Sequence, residues 1–278
     1  MFRLLGIEIQ KLRNSRASKV LIITYFALLT SITLIAAIKF DIGPVQFHLA
    51  EQGIFNFPYI WHFNTFIAAF FKIFLLLVIV SMISNEYSNK TLKQNLIDGL
   101  SKKEFILSKF YTVLTFALMS TVFVFFVSLI LGFIYSDYNE FSIVFSDLEF
   151  LVAFFVKLLG FFSMGLFLGM LIKRSAFAVG AMVIWFIGEN ITYSLLKWKV
   201  FRDTDIADNI MQFAPIKAMW NLIDEPFSRL NAVKTLASQI GEDITSDYGV
   251  HWYEVAIVLG WTFIFIYASY YLLKIRDL

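Results

Sequence analysis

The chain has 278 residues, of which 59% are hydrophobic and 16% are charged, and its formal net charge is +2. A typical soluble domain is about 45–50% apolar and about 25% charged. The composition therefore argues against a soluble enzyme, because too few polar residues are present to cover its surface. The small net charge gives no basic field for nucleic acid. With no cysteine, disulfides and thiolate metal sites are excluded.

Six runs are long and apolar enough for membrane-spanning helices, each of which needs about 20 mostly apolar residues. The runs cover residues 20–38, 60–83, 111–135, 150–172, 176–196 and 253–273. Lipid offers the backbone no hydrogen-bonding partner, so we expect every run to be an α-helix. The predicted fold class is therefore an all-α integral membrane protein, with residues 1–278 forming a single transmembrane domain.

Residues 2–16 precede the first run and have apolar side chains at helical spacing, namely Phe2, Leu5, Ile9 and Leu12. Polar and basic side chains fall on another face, so we expect residues 1–19 to contain an amphipathic helix on the cytoplasmic membrane surface. The basic start resembles a signal peptide. However, the first run is longer than a signal peptide's apolar region and has no small-residue cleavage site, so we expect it to be retained.

Lysine and arginine are distributed unequally between the connecting segments. Fourteen of them lie in the segments assigned to one side, which are residues 1–19, 84–110, 173–175 and 274–278. The two short loops on the other side contain only Lys39. Residues 197–252 carry six more, but long loops follow the positive-inside rule weakly. The asymmetry predicts that both termini are cytoplasmic.

The long outer segment, residues 197–252, contains two stretches with a helical pattern. The first follows Pro215, a residue favoured at helix starts, and its apolar face is formed by Ile216, Met219, Trp220 and Ile223. The second covers residues 230–240, with Leu230, Val233, Ala237 and Ile240. We expect short interfacial helices before the last span rather than a soluble domain.

The loop between the second and third runs, residues 84–110, has the most informative pattern. Leu92 and Leu96 share one face of a short helix, and Gly99 ends it. Ser101 is followed three residues later by Glu104, the spacing of a capping box that starts another helix. The loop is thus predicted to form a helix, a turn and a second helix at the cytoplasmic surface, a shape suited to docking a partner protein.

This loop resembles that of the permease subunits of ABC-2 type ABC transporters, which reads Glu, Gly-Thr, a leucine-rich turn, Pro-x-Ser-Arg, an acidic residue and Gly-Lys. The residues that match without gaps are Glu86, Thr91, Leu92, Leu96, Ser101, Glu104 and Lys109. Lys102 stands where arginine is usual. Lys90, Gly99 and Ser108 replace the usual glycine, proline and glycine. The layout of six spans, an amphipathic N-terminal helix and short outer helices is also similar.

The resemblance implies that residues 86–109 are a coupling helix resting in a groove of an ATPase subunit, with Gly99 and Lys102 among the coupling residues. Closure of the ATPase dimer would move this helix and expose a substrate path alternately to the two sides. The implied partners are ABC ATPase subunits and a second permease copy or a related chain. The implied location is the bacterial cytoplasmic membrane.

The chain itself is expected to be non-catalytic and to bind no cofactor. It has no Walker A pattern, so ATP and magnesium would be bound by the partner ATPase. Its three histidines match no zinc motif, and no Gly-x-Ser-x-Gly elbow is present. Two other function classes stay open from the residues alone: an ATP-independent channel or secondary transporter, and a membrane assembly or sensor subunit.

Three ionisable residues fall within the predicted spans, where a charge costs at least about 2.5–3.5 kcal/mol without a partner. Lys157 and Glu189 each lie roughly 10 Å from the outer ends of two adjacent antiparallel spans. We therefore expect them to approach each other, as a packing ion pair or as a gate. Lys72, near the middle of the second span, would either line an aqueous cleft that favours an anionic substrate or extend towards the membrane surface.

Small residues recur at four-residue spacing within the predicted spans. They include Gly165 and Gly169 in the fourth span and Gly180 in the fifth. This spacing lets two helices approach closely, so we expect these glycines to lie at helix contacts.

Overall fold

The structure is a computed structural model that describes residues 2–37, 39–42, 45–48, 53–202, 204–230, 233, 238 and 247–276, and side chains within residues 3–32 and from 53 onward. Its helices are α1 (Phe2–Asn14), α2 (Arg16–Ala37), α3 (Tyr59–Ser88), α4 (Thr91–Ile97), α5 (Lys102–Tyr135), α6 (Phe141–Val144), α7 (Glu149–Ile172), α8 (Ser175–Leu195), α9 (Ile206–Met211), α10 (Pro215–Asn221) and α11 (Trp252–Ile275). A π-helical turn, Leu196–Val200, extends α8, and Phe227–Arg229 is a 3-10 turn.

A short antiparallel hairpin is the departure from the predicted all-α fold. Strands β1 (Lys39–Ile42) and β2 (Val45–His48) pair with Lys39 opposite His48. The sequence between the strands is Gly-Pro, a turn-forming dipeptide that the hydropathy pattern does not reveal. The predicted helix over residues 230–240 lies mostly outside the described residues.

Five helical segments are long and apolar enough to cross a membrane, which supports a multi-pass membrane protein. They are Tyr59–Ser88, Lys102–Tyr135, Phe141–Ile172, Ser175–Val200 and Trp252–Ile275, and they contain the second to sixth predicted spans. The first predicted span lies in α2. The segment Arg16–Ile32 meets Arg3–Asn14 at 93°, and a sixth span results if this bent pair is counted as one. The sixth span therefore stays a prediction.

Helix α7 lies at the centre of the bundle, where it contacts α3, α5, α8 and α11. In the span that contains α7, 78% of the most apolar stretch is buried, whereas the corresponding figure for the span containing α8 is 11%. A helix that is apolar on all sides must be covered by protein or by lipid. Helix α8 thus leaves most of its surface for lipid or for another chain.

Gly165 and Gly169 of α7 face α3. A Cβ atom added at Gly165 would be 2.3 Å from Leu76 Cδ1, and one added at Gly169 would be 3.4 Å from Ile83 Cβ. Gly180 on α8 differs, because no described atom lies within 4 Å of the position its Cβ would take. Two of the three glycines therefore lie at a helix contact within the chain, and the third faces outward.

We predict that Gly165→Ala lowers the thermal unfolding temperature in detergent, because Leu76 is fully buried and has little room to move. Overpacking of this kind typically costs about 1–3 kcal/mol. Gly180→Ala is the matched control. It should leave the temperature unchanged or raise it, since alanine favours a helix by about 1 kcal/mol over glycine. Equal melting temperatures for Gly165→Ala and the wild type would contradict the close contact.

Candidate functional site

Helix α4 connects the long helices α3 and α5 at one end of the bundle, which we call the α4 end. Lys90 precedes α4 with φ 55°, and Gly99 follows it with φ 98°, so both occupy the left-handed region that favours glycine. The N–H groups of Gly99 and Leu100 donate to the carbonyls of Leu96 and Asn95, at 3.2 and 3.0 Å. This is a Schellman motif, and it satisfies the carbonyls at the end of α4.

The start of α5 has the predicted capping box. Ser101 Oγ accepts a hydrogen bond from the Glu104 N–H, and the Glu104 carboxylate accepts one from the Ser101 N–H at 3.0 Å. Lys102 Nζ lies 3.2 Å from the carbonyl oxygen of Lys274 and 3.3 Å from that of Arg276. The positive charge of Lys102 interacts favourably with the partial negative charge at the C-terminus of α11.

Four charged side chains form a cluster at the α4 end that we call the buried ion cluster, although the Lys11 side chain is 38% exposed. Glu8 and Lys11 come from α1, Glu86 from the last turns of α3, and Lys109 from α5. Lys109 Nζ lies 2.6 Å from Glu8 Oε2 and 2.6 Å from Glu86 Oε1. Lys11 Nζ lies 2.8 Å from Glu86 Oε1 and 3.6 Å from Glu8 Oε1. Two carboxylates and two ammonium groups make the buried ion cluster formally neutral.

The second oxygen of Glu86 connects the buried ion cluster to α4. Thr91 Oγ1 donates to Glu86 Oε2 at 2.5 Å, and Asn95 Nδ2 donates to the same atom at 3.3 Å. Lys109 is 0% exposed, and Glu8 and Glu86 are each 3% exposed. Charges this deeply buried are tolerated only when they are paired and hydrogen-bonded. The cluster therefore ties four helices, α1, α3, α4 and α5, into one unit.

The structure divides the residues assigned by the family resemblance into inward and outward groups. Glu86, Thr91 and Lys109 meet in the buried ion cluster. Leu92 is buried, and Leu96 packs against the core. These five side chains therefore position α4 from within. Gly99, Ser101, Lys102 and Glu104 shape the turn that follows α4.

Sequence reasoning missed the part that Glu8 of α1 plays in the buried ion cluster. Glu8 was not singled out, although it is the only acidic residue among the first 19. It stands three residues after Leu5 and four before Leu12, so it lies on the apolar side of the helix. A lone acid on that face predicts a buried cationic partner. The identity of that partner, 101 positions away in the chain, is not contained in the local pattern.

The outward face of α4 also went unnoticed. It carries exposed side chains from Lys93, Gln94, Ile97 and Asp98. Ile97 is 69% exposed, and the other exposed side chains of this face are polar. The loop thus presents one apolar side chain, surrounded by polar ones, beyond the end of the bundle.

The predicted ion pair between Lys157 and Glu189 is not formed in the described structure. Glu189 Oε2 accepts the N–H of Lys217 at 2.9 Å, and Glu189 Oε1 accepts that of Ile216 at 3.2 Å. Lys157 Nζ lies 3.4 and 3.5 Å from the carbonyl oxygens of Trp220 and Ile223. The two charges thus bind opposite ends of α10, where each complements the helix dipole. Sequence reasoning placed both charges on adjacent helices but could not show the short helix between them.

Lys72 has no hydrogen bond or ion pair within the described part of the chain. Its Nζ lies 4.4 Å from the centre of the Phe161 ring. It borders a cleft of about 170 Å³, which is lined by Phe66, Ala69, Phe70, Lys72, Ile73, Lys157, Phe161 and Trp220. The cleft therefore combines two ammonium groups with aromatic walls, and no carboxylate is among its lining residues.

His62 lies at the opposite end of the bundle, and both of its ring nitrogens have hydrogen-bonding partners. Its Nε2 lies 2.9 Å from the Asp224 carbonyl oxygen, and its Nδ1 lies 3.1 Å from Arg229 Nη1. A carbonyl only accepts and a guanidinium only donates, so the neutral ring carries its hydrogen on Nε2. The ring stacks on Phe150 at 4.2 Å. Burial raises the pKa of the nearby Asp224 carboxyl, although Lys157 opposes this shift.

The long apolar helices identify a multi-pass membrane protein. The comparison with known families identifies its family. The family model for ABC-2 family transporter proteins matches residues 6–278, so the chain belongs to that family. Such chains are in general the non-catalytic membrane components of ABC transporters. A comparison with curated proteins gave no match.

We predict that Lys109→Met destabilises the chain by about 3–5 kcal/mol, because it leaves two buried carboxylates with one cation. The double variant Lys109→Met/Glu8→Gln restores neutrality and should recover more than half of the loss. Lys103→Met, an exposed position on the same helix, is the matched control and should be neutral. Unfolding followed by tryptophan fluorescence measures all three. A double variant no more stable than Lys109→Met would argue against the cluster.

A second prediction concerns α10. Glu189→Leu removes the acceptor of two backbone N–H groups, and hydrogen bonds to a charged group are worth about 1.5–3 kcal/mol each. Hydrogen exchange at Ile216 and Lys217 should therefore accelerate at least about tenfold. Asn190→Leu is the control, because Asn190 donates within its own helix to Phe186. Unchanged exchange in Glu189→Leu would show that Glu189 does not fasten α10.

Proposed function

We propose that the chain is the membrane permease subunit of an ABC exporter and that α4 is the element on which a separate ATPase subunit docks. The observation that carries this proposal is the buried ion cluster. It fastens α4 to three other helices, so a displacement imposed on α4 is passed to α1, α3 and α5 together. An unfastened loop would absorb such a displacement instead.

The outward face of α4 supports docking of a folded partner. Ile97 offers an apolar contact that a groove would bury, and the neighbouring Lys93, Gln94 and Asp98 offer a polar rim. The inward residues Leu92 and Leu96 keep this face pointing away from the bundle. ATP and magnesium would bind to the partner, and the permease would contribute movement only.

The proposed orientation places the α4 end and both termini in the cytoplasm of a bacterial cell. The positive-inside rule supports this, because the segments around α1, α4, the turn between α7 and α8, and the C-terminus carry the excess of basic residues. ATP is available on that side, where an ATPase must operate.

We predict that Ile97→Asp reduces the affinity for the ATPase about 30-fold or more, the effect of losing about 2 kcal/mol at a central contact. The measurement is co-purification from host membranes of a chain with a Walker A motif, together with ATP hydrolysis by the complex. Phe141→Asp is the matched control, because Phe141 is also largely exposed, at 79%, and lies at the opposite end of the bundle.

Three results would contradict the proposal. Full association of Ile97→Asp with the ATPase would remove α4 from the interface. Transport by the purified wild type with no ATPase and no ATP would favour the alternative of a channel or secondary transporter. A chain that neither transports nor stimulates ATP hydrolysis would favour an assembly or sensor subunit.

A second permease copy, or a related chain, would cover α8. Its surface exposes the polar side chains of Asn190, Thr192 and Ser194, and both Gly180 and Gly188 have open space where a side chain would be. Small and polar residues on a membrane helix favour association with another helix. Six spans make a thin bundle, so the substrate path would form between two such chains.

The cleft beside Lys72 would be part of this path, and its two ammonium groups, with no carboxylate among the lining residues, support a chemical preference. We propose that it faces the cargo and favours an amphipathic molecule with a negatively charged group. Lys157 and Glu189 would contribute by holding α10, and with it Trp220, at the edge of the cleft.

We predict that Lys72→Met removes a preference for anionic cargo and that Lys72→Arg retains it. ATP hydrolysis by the complex would be measured with single-chain amphipaths that share a dodecyl tail and carry sulfate, phosphocholine or trimethylammonium heads. The wild type should respond best to the sulfate, with an advantage of about tenfold or more that Lys72→Met abolishes. Equal stimulation of the wild type by all three would contradict the preference.

A further inference from the structure

A second cavity lies at the α4 end, in the elbow between α1, α2 and α5. It has a volume of about 400 Å³, and its lining consists of Leu5, Ile9, Leu12, Arg13, Lys19, Ile22, Ile23, Thr112, Thr115, Phe116 and Met119. The surface facing the cavity is apolar throughout. The two threonines fit this description, because their hydroxyls donate to carbonyls of their own helix, at 3.1 Å for Thr112 and 2.7 Å for Thr115.

The bend between α1 and α2 determines where this elbow cleft lies. The helices meet at 93°, so α1 lies across the direction of α2. If α2 crosses the membrane, α1 lies along the membrane surface, as an amphipathic interfacial helix does. The elbow cleft then opens at the boundary between lipid head groups and acyl chains.

Arg13 and Lys19 line the elbow cleft, and Arg16 lies between them in the chain. Arg13, Arg16 and Lys19 are all exposed, and in the described part of the chain none has an ion pair or a hydrogen bond from its side chain. Glu8, the acid of α1, is occupied within the buried ion cluster. Three neighbouring positive charges thus remain without compensation next to an apolar cavity.

We propose that the elbow cleft binds an anionic phospholipid, with one acyl chain in the cavity and the phosphate of the head group against Arg13 and Lys19. An acyl chain needs no hydrogen-bonding partner, which suits a wholly apolar wall. A bound peptide segment would bury backbone N–H and carbonyl groups that this wall cannot satisfy. Basic pockets beside membrane helices on the cytoplasmic side have the chemistry for phosphate head groups.

The bound lipid would also brace the coupling end of the bundle. The elbow cleft contacts α1 through Leu5, Ile9 and Leu12, and the same helix supplies Glu8 and Lys11 to the buried ion cluster. This consequence for coupling depends on the proposed function, whereas lipid binding itself does not.

The test is binding of phosphatidylglycerol and phosphatidylcholine with identical acyl chains to the purified full-length chain in detergent, followed by native mass spectrometry. The wild type should prefer phosphatidylglycerol at least about tenfold. Arg13→Gln/Lys19→Gln should reduce this preference to less than about twofold, and Arg13→Lys/Lys19→Arg should retain it. Lys199→Gln/Arg202→Gln makes the same change of charge at the opposite end and should have no effect.

A cleft-filling variant tests the acyl-chain site separately. Thr115→Phe should lower the binding of both lipids about tenfold, and its melting temperature shows whether it remains folded. Soluble glycerol 3-phosphate should not displace the lipid, because it has no acyl chain to fill the apolar cavity. Displacement by glycerol 3-phosphate would replace the proposal by a simple phosphate site.

Three further outcomes would overturn the proposal. They are equal binding of the two lipids by the wild type, full preference in Arg13→Gln/Lys19→Gln, and unchanged binding by folded Thr115→Phe. The first needs no variant, so it decides the question even if a variant fails to fold. None of these measurements involves an ATPase, so their failure is distinguishable from failure of the proposed function.

Discussion

Glu8, Glu86 and Lys109 are buried away from water at the α4 end, and the partners that each one finds hold α1, α3, α4 and α5 together. Glu86 is the centre of this arrangement. One of its carboxylate oxygens is close to Lys11 and Lys109, and the other accepts from Thr91 and Asn95. Removing one buried charge from such a set destabilises the fold strongly, because the remaining charges lose their partners. Replacing the whole set by apolar side chains costs much less stability. The cluster therefore specifies one position for α4 more than it adds stability.

The requirement that buried charges have partners also applies around α10. Glu189 and Lys157 are not paired with each other, yet each is satisfied by backbone groups of α10. A short helix thereby connects α7 and α8 and carries Trp220 to the edge of a cleft. Lys72 borders that cleft and has no such partner within the described structure. Glu189 and Lys157 therefore have a structural role. Lys72, which lacks such partners, is the charge for which we propose a role in cargo binding.

Much of the fold could be predicted from the sequence, because membrane helices are specified by long apolar runs and short-range signals. The second to sixth runs fall in helices of sufficient length, and the Ser101 capping box forms as its spacing predicts. The family resemblance, carried by about 25 residues of the loop, agrees with the family match over nearly the whole chain. The first run lies in α2, which counts as a span only when it is taken together with α1, from which it is bent by 93°.

The pairings could not be predicted, for a physical reason. Glu8 and Lys109 are 101 positions apart, and Lys157 and Ile223 are 66 apart. Local patterns report which face a residue occupies, but the partner across that face depends on how the helices pack. The expected pairing of Lys157 with Glu189 illustrates this. A third element, α10, supplied the actual partners of both charges.

The most direct test of the account is the distance between α1 and α4. The chain has no cysteine, so spin labels can be attached specifically at Ile7→Cys and Lys93→Cys, both at exposed positions. If the buried ion cluster makes these helices one unit, the wild-type background gives a single narrow distance distribution, and Lys109→Met broadens it. A broad distribution in the wild type, or a narrow one that Lys109→Met leaves unchanged, would contradict the account.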